Sequence, residues 1–343
     1  EGQFTKTLEN IQVVNVNLNP NSLVTVDGEA GERQVYFGDD IEIDDRYSAI
    51  HRVGSTSAGY TYDVTARVQN ELRDFILEGD RLFVNLAYTF GDAFSANEGT
   101  SSQINSLWRG TPTVQGLNDL ETARSQFSIG NRVLASAVFR KAFFGNTATT
   151  ISLFYTGESG RPFSYTIDNS DAMIGAPGAR DAGLLFVPNN ASDIVFRDPA
   201  EAAAFEAFIE SSDYLSARRG DYAERNGSRA PFENIFDLRI EQEIFANFAG
   251  RNRGLSVALD IFNVGNLINS DWGVRYASPF AVELLEFQEF QDPENGDFTP
   301  VYELEFNPEQ TPTEEAFFEQ REVLDRGLYS SRWFMQLGLR LNI

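Results

Sequence analysis

Arg218, Arg219, Arg225 and Arg229, with Tyr222 and Asn226 among them, place planar fork-like donors and neutral hydrogen-bonding groups close enough to grip an anionic substrate. Asp221 and Glu224 are interleaved with them, so the same segment equally suits a network of arginine–carboxylate pairs that holds a long loop in place. Asp39, Asp40, Glu42, Asp44 and Asp45 offer enough oxygen ligands for calcium, although they lack the ordered Asp, Gly and Glu of an EF-hand loop. Solvation alone also explains such an acidic run. Asp237, Glu241 and Asp260 supply the carboxylates a glycosidase uses, but nothing in their spacing positions an acid against a base. His51 is the single histidine and cysteine is absent. Multi-histidine zinc sites, thiolate metal sites and cysteine nucleophiles are thereby excluded, and a histidine-based triad has little to draw on. The expectation is no catalytic centre and no cofactor.

The 51 acidic and 27 basic side chains give a formal net charge of −24. Such a chain lacks the basic footprint that nucleic acid needs. No run approaches the roughly 18 apolar residues of a membrane helix. A transmembrane barrel stays open, because its strands alternate rather than run continuously apolar. Glu1-Gly2-Gln3-Phe4 lacks the charged start and apolar run of a signal peptide, and reads as an internal starting point.

The segments that carry these groups alternate with period two. Tyr60, Tyr62, Val64, Ala66 and Val68 fall on one face, opposite Thr61, Asp63, Thr65 and Arg67. Leu82, Val84, Leu86, Tyr88 and Phe90 continue the design after a turn over 73–80, predicting a long hairpin. A second hairpin pairs Val133–Phe139 with Ile151–Tyr155, and a third pairs Phe236–Ile240 with Leu255–Ile261. Trp333, Met335, Leu337, Leu339, Leu341 and Ile343 form the apolar side of a last strand. Phe83, Leu134, Val138 and Phe154 interrupt the polar faces.

Short connections (near 19–22, 73–80, 144–147, 247–254 and 291–297) alternate with long ones (38–56, 97–125, 168–230 and 307–330), apart from a short link near 269–271. Tight turns on one side and long loops on the other are the outer-membrane pattern. This threading predicts about eleven strands with both edges open, and open edges in lipid require further strands. Asp63, Arg67, Asp237, Arg239, Asp260 and Arg340 then face the lumen, where they contact a plug or substrate or simply wet the wall. Trp333, Tyr60, Tyr62, Tyr88 and Phe90 suit interfacial aromatic girdles. Asp198-Pro199 followed by Ala202, Phe205, Phe208 and Ile209 predicts a short helix within a long loop, and Thr311-Pro312 to Asp325 repeats the recipe.

The strings Gly157-Glu158-Ser159-Gly160-Arg161-Pro162-Phe163-Ser164-Tyr165, Leu184-Leu185-Phe186-Val187-Pro188, Tyr222-Ala223-Glu224-Arg225-Asn226-Gly227 and Phe236-Asp237-Leu238-Arg239-Ile240 resemble the C-terminal barrel of Oar-like TonB-dependent receptors. Asp260 to Asn269, followed by Asp271-Trp272-Gly273, resembles the penultimate region of the same group. The resemblance implies an all-β fold: residues 1–343 form roughly the C-terminal half of a 22-stranded plugged transmembrane antiparallel barrel, with short helices in extracellular loops. It implies an outer-membrane transporter of a Gram-negative bacterium. Its partners are lipid and lipopolysaccharide, the remaining strands and plug, and a TonB-type energising complex engaged through an N-terminal region outside this sequence. Ile343 departs from the aromatic end common in such proteins. Two other classes stay open: an outer-membrane anchor that captures a lipoprotein or secreted protein without import, and a soluble acidic β-sandwich enzyme.

Overall fold

The computed structural model describes residues 1–6, 10–31, 33–245, 254–277, 281–307, 314, 318–320 and 331–342. The fold is mostly β-strand, and no helix among the described residues is long and apolar enough to cross a membrane, which says nothing of strands. Eight strands pair antiparallel in the order Gly2–Lys6, Gly59–Arg73, Arg81–Ser95, Gly130–Phe144, Thr147–Glu158, Glu233–Phe245, Gly254–Phe262 and Phe334–Asn342. All three expected hairpins form, and the last expected strand joins them as one edge of this wall.

Register keeps the alternation coherent across strands. Val84, Ala137, Leu153, Leu238, Ile261 and Met335 lie opposite one another across six strands. Phe139, Ile151, Ile240, Leu259 and Leu337 make a parallel row. Directly opposed residues project from the same side of a sheet, so these rows build one continuous apolar face. The other face carries Ser152, Arg239, Asp260 and Gln336 at the matching level. The apolar face is not a dry core: Val64 is 57% exposed, Leu86 51% and Leu339 75%, while Val257 and Leu259 are half-buried.

Two expectations are corrected. The edges of the wall, Gly2–Lys6 and Phe334–Asn342, are unjoined among the described residues, in line with the open edges of the threading, but the main path has eight strands rather than about eleven. The segments flanking the short connections near 19–22 and 291–297, expected in the wall, lie elsewhere, while Gly2–Lys6 joins it unforeseen. Asn10–Asn15 pairs with His51–Thr56, and Leu23–Thr25 pairs with Gln34–Tyr36. Ala281–Asp292 and Asp297–Leu304 form the middle of a second, five-stranded sheet completed by Pro162–Asp168, Ser228–Arg229 and Val195–Phe196. The reason lies in the side chains: Val282, Leu284, Leu285 and Phe287 are all buried, so this strand presses apolar groups to both sides and cannot serve a one-faced wall.

This second sheet and its flanking segments hold the main core, where Tyr165, Ile167, Phe205, Phe208, Leu285 and Tyr302 are almost fully buried. The helix expected after Asp198-Pro199 forms as Glu201–Ser211 and buries Ala204, Phe205, Phe208 and Ile209. Asp198 accepts a hydrogen bond from the Ala200 backbone N–H (2.9 Å), which tethers its start. A helix at Ile104–Arg109 was not foreseen; it buries Trp108 beside the His51 ring. Within the second expected loop helix, Thr311 to Asp325, only 314 and 318–320 are described, and Glu319–Gln320 there form a strand paired with Tyr276–Ala277 instead; most of the turn at 247–254 and Ile343 lie outside the described residues.

Candidate ligand-binding cleft

Where the Arg81–Ser95 strand runs out, Arg225 reaches across to its end. The Arg225 guanidinium donates to the carbonyls of Ala96 (2.9 Å), Ser95 and Glu121 (3.3 Å), so it pins the 218–229 segment against the wall. Between them lies a cleft of about 320 Å³ bounded by Phe94, Pro112, Val114, Arg124, Tyr222 and Arg225. Arg218, Asp221, Glu224 and Glu121 also contribute to its lining.

Of the six residues expected to contact substrate, Arg218, Tyr222 and Arg225 line this cleft. Arg218 is paired with Asp221 (3.2 Å) and Glu224. The Tyr222 hydroxyl donates to Glu29 (2.9 Å), and burial followed by the Glu29 charge raises it above the ordinary tyrosine range. Arg219, Asn226 and Arg229 are turned to other tasks. Arg219 pairs with Glu206 and donates to the Asn189 carbonyl (3.1 Å). Asn226, in the left-handed region at φ 54°, donates from its side chain to the Arg124 carbonyl (2.7 Å) and from its backbone to Ser164 Oγ (2.9 Å). Arg229 donates to the carbonyls of Ser128 (3.2 Å) and Gly160 (3.3 Å). Most of the arginines thus hold the loop, through interleaved carboxylates and through backbone oxygens that no sequence motif marks.

Phe94, the 112–115 segment, Glu121 and Arg124 are cleft residues that sequence reasoning missed. Arg124 had one legible trait, a basic residue at the end of a long loop, but its partners Asp92 (3.0 Å) and the Gly227 carbonyl (3.2 Å) come from segments distant in sequence. Behind the cleft sits a buried knot. Arg33 and Glu29 pair at 2.7 Å with side chains 1% exposed, Tyr302 also donates to Glu29 (2.9 Å), and Arg33 lies over the Tyr222 ring.

On the polar face of the wall, Arg239 bridges Asp260 and Glu241, each at 3.0 Å. Asp237 accepts from the Asn263 backbone N–H (2.8 Å), and Arg340 lies opposite Ser256. Asp63 and Arg67 stand apart, towards the other edge. Arg67 donates to Asn85 (2.7 Å), and Asp63 lies opposite Gly91, where a Cβ would come within 2.9 Å of Asp63 Cβ.

The calcium candidates are not gathered into a ligand set among the described residues. Asp44 is engaged by Arg46 (2.6 Å), while Asp39, Asp40 and Asp45 are exposed. The acidic side chains that do converge are Asp168, Glu286 and Glu305, with one carboxylate oxygen each within 4.8 Å of the others. Burial followed by the charges of Asp168, Glu286 and Glu303 pushes the Glu305 carboxyl up, and burial with Asp168, Asp181 and Glu305 does the same to Glu283.

Comparison with protein-family models, curated proteins and solved structures returns no significant match.

Proposed function

We propose that this chain is the C-terminal wall and loop portion of an outer-membrane transporter of the TonB-dependent type, with the apolar face of the eight-stranded sheet against lipid. The observation that carries the reading is the set of in-register apolar rows left exposed or half-buried across most of the sheet, Ile261 being the buried exception. A soluble protein seldom leaves an apolar surface of that extent unpartnered. The ends of the face fit the same reading. Near the loops, Tyr60 stacks on both Phe94 and Tyr62, Tyr62 meets Phe90 at a tilt, and the Tyr88 and Tyr155 hydroxyls donate to Asn131 (2.6 Å) and Asn234 (2.7 Å). Near the short turns, Phe75, Phe143 and Phe144 are exposed. Ala135 lies opposite Tyr155 and is eight residues from Phe143, about 26 Å along a strand at ~3.3 Å per residue. That is close to the ~25 Å apolar band of such walls before allowance for tilt.

In this reading the Arg239–Asp260–Glu241 cluster faces an enclosed polar interior. The backbone groups of Gly2–Lys6 and Phe334–Asn342 pair with further strands, and a plug and a TonB-type complex complete the transporter. A second reading, an outer-membrane receptor that captures a lipoprotein or secreted protein without import, draws on the size of the dry core in the loop region. Expression of the chain with its native upstream sequence, followed by membrane fractionation and uptake assays, separates the readings. Recovery in the carbonate-resistant outer-membrane pellet with energy-dependent uptake supports transport. The same pellet with partner capture but no uptake supports the receptor, and recovery in the aqueous periplasm removes both.

A further inference from the structure

We propose that the contact of His51 with Trp108 is an acid-sensitive latch, which holds the Ile104–Arg109 helix on the Asn10–Asn15/His51–Thr56 hairpin at neutral pH and lets go when the imidazole takes a second proton. The latch is independent of the transporter reading. Asn118 pins its two halves together. It accepts from the Asn15 backbone N–H (2.7 Å) and from the Trp108 indole N–H (2.9 Å), and it donates to the Asn15 carbonyl (2.9 Å). His51 lies directly opposite Asn15 in the hairpin, and its ring centroid is 5.3 Å from that of Trp108. Asn15 and Trp108 are fully buried, and Val13, Leu107 and Leu117 share the apolar cluster of the indole.

This site suits a neutral imidazole and not a charged one. His51 Nε2 is closed to water and has no hydrogen-bond partner among the described residues. A neutral ring meets that condition by keeping its one proton on Nδ1. A second proton places a charged N–H at Nε2 with nothing to accept it, and even the Asn15 Nδ2 opposite lacks an acceptor. The charged residues on the elements packed there are Arg52 on the same strand and Arg109 on the helix, while Asn10–Asn15 and 110–118 carry none. Both are cations, so neither offsets a charge on the ring. Tyr36, which packs against the same cluster, is kept neutral by burial. Burial likewise holds the His51 value below the ordinary histidine range. The released state therefore binds the proton more readily than the latched one. Latching is at full strength above the ordinary value of about 6.5 and weakens as pH falls below it. Thr113, bonded through its backbone to Ala182 (2.8 Å) and Leu184 (3.0 Å), is the pivot for release. Pro112, between that pivot and the helix, lines the cleft, so release shifts one edge of the cleft.

Nuclear magnetic resonance on the purified protein, with histidine and tryptophan selectively labelled, reads both partners. The His51 signal, assigned by its loss in His51→Phe, should titrate with a midpoint below that of free histidine. Exchange of the Trp108 indole proton, corrected for its intrinsic pH dependence, should speed up roughly threefold or more between about pH 7.5 and about pH 5. His51→Phe keeps a ring beside Trp108 but cannot titrate, so its corrected exchange should not change with pH. Should that variant not fold, Asn118→Ala assigns the Trp108 proton, and the two measurements on the parent protein still decide. A His51 midpoint at or above the ordinary value, which would mean that the Trp108 ring stabilises the cation, overturns the proposal. So does corrected indole exchange that is the same at both pH values, or a pH response that persists in His51→Phe.

Discussion

Leu153 and Ser152 are neighbours in one strand and point to opposite sides of the wall. Leu153 sits in the middle of the longest apolar row, and Ser152 opposes Arg239 on the polar face. If the apolar face meets hydrocarbon, as proposed, Leu153→Arg should cost about 2–4 kcal/mol when the protein refolds from urea into liposomes, while a lumen-side Ser152→Arg should cost far less. Equal costs would argue that the two faces share one environment. Glu29 supports a different prediction. It is the acceptor for Arg33, Tyr222 and Tyr302 in a dry site, and removing one partner of a buried pair strands the other charge. Glu29→Ala should therefore destabilise the loop region by about 3–5 kcal/mol, read as loss of its thermal transition with the wall strands intact. Only part of this was legible in the sequence. The interleaving of Arg218 with Asp221 and Glu224 foretold their pairing, whereas Glu29 meets Tyr302 across 273 residues, which no local pattern can reveal.

At the scale of elements, the wall strands were readable because each serves one apolar and one polar side. The Ala281–Leu304 hairpin was misplaced because its short turn resembles a wall turn while both faces of its first strand are buried. The turn after Arg73 shows how little sequence a firm connection needs. Asp80 accepts from the N–H groups of Phe75 (2.8 Å), Ile76 (2.8 Å) and Leu77 (2.7 Å). Burial alone would raise its carboxyl, but these donors and Lys141 hold it below the usual range. Asp80→Ala should loosen this turn, measured as faster amide exchange at residues 75–77, while the far ends of its strands stay protected. The loop sheet carries the opposite sign. Glu283 and Glu305 have raised folded values, so the folded chain holds protons that the unfolded chain releases. Their penalty is full above the raised folded values, shrinks as pH falls through them, and disappears below the ordinary glutamate value. Glu206 opposes this trend. Although burial acts to raise it, Arg219 and the Ala191 N–H hold it low, so its stabilisation is lost as pH falls through its folded value. Glu283→Gln should accordingly raise the melting temperature by about 2 °C at neutral pH. By about pH 4 the difference from the parent should be gone.

Taken as a whole, the molecule divides its labour between an uncovered, one-faced sheet and a dry core assembled from the long connections. The net charge of −24 is spread over a chain whose apolar wall side carries almost none of it. That division gives the proposed transporter its logic: lipid takes the place of a protein layer over the wall, while the packed loop region holds a cleft at one end. Nitroxide labels placed in turn at Thr150, Ile151, Ser152, Leu153, Phe154 and Tyr155, in liposome-reconstituted protein, read this orientation most directly through collision with oxygen and with a water-soluble nickel chelate. The predicted result is an alternation with period two, in which labels at Ile151, Leu153 and Tyr155 are oxygen-accessible and shielded from nickel. Nickel access at those three positions equal to or greater than that at Thr150, Ser152 and Phe154 would contradict it.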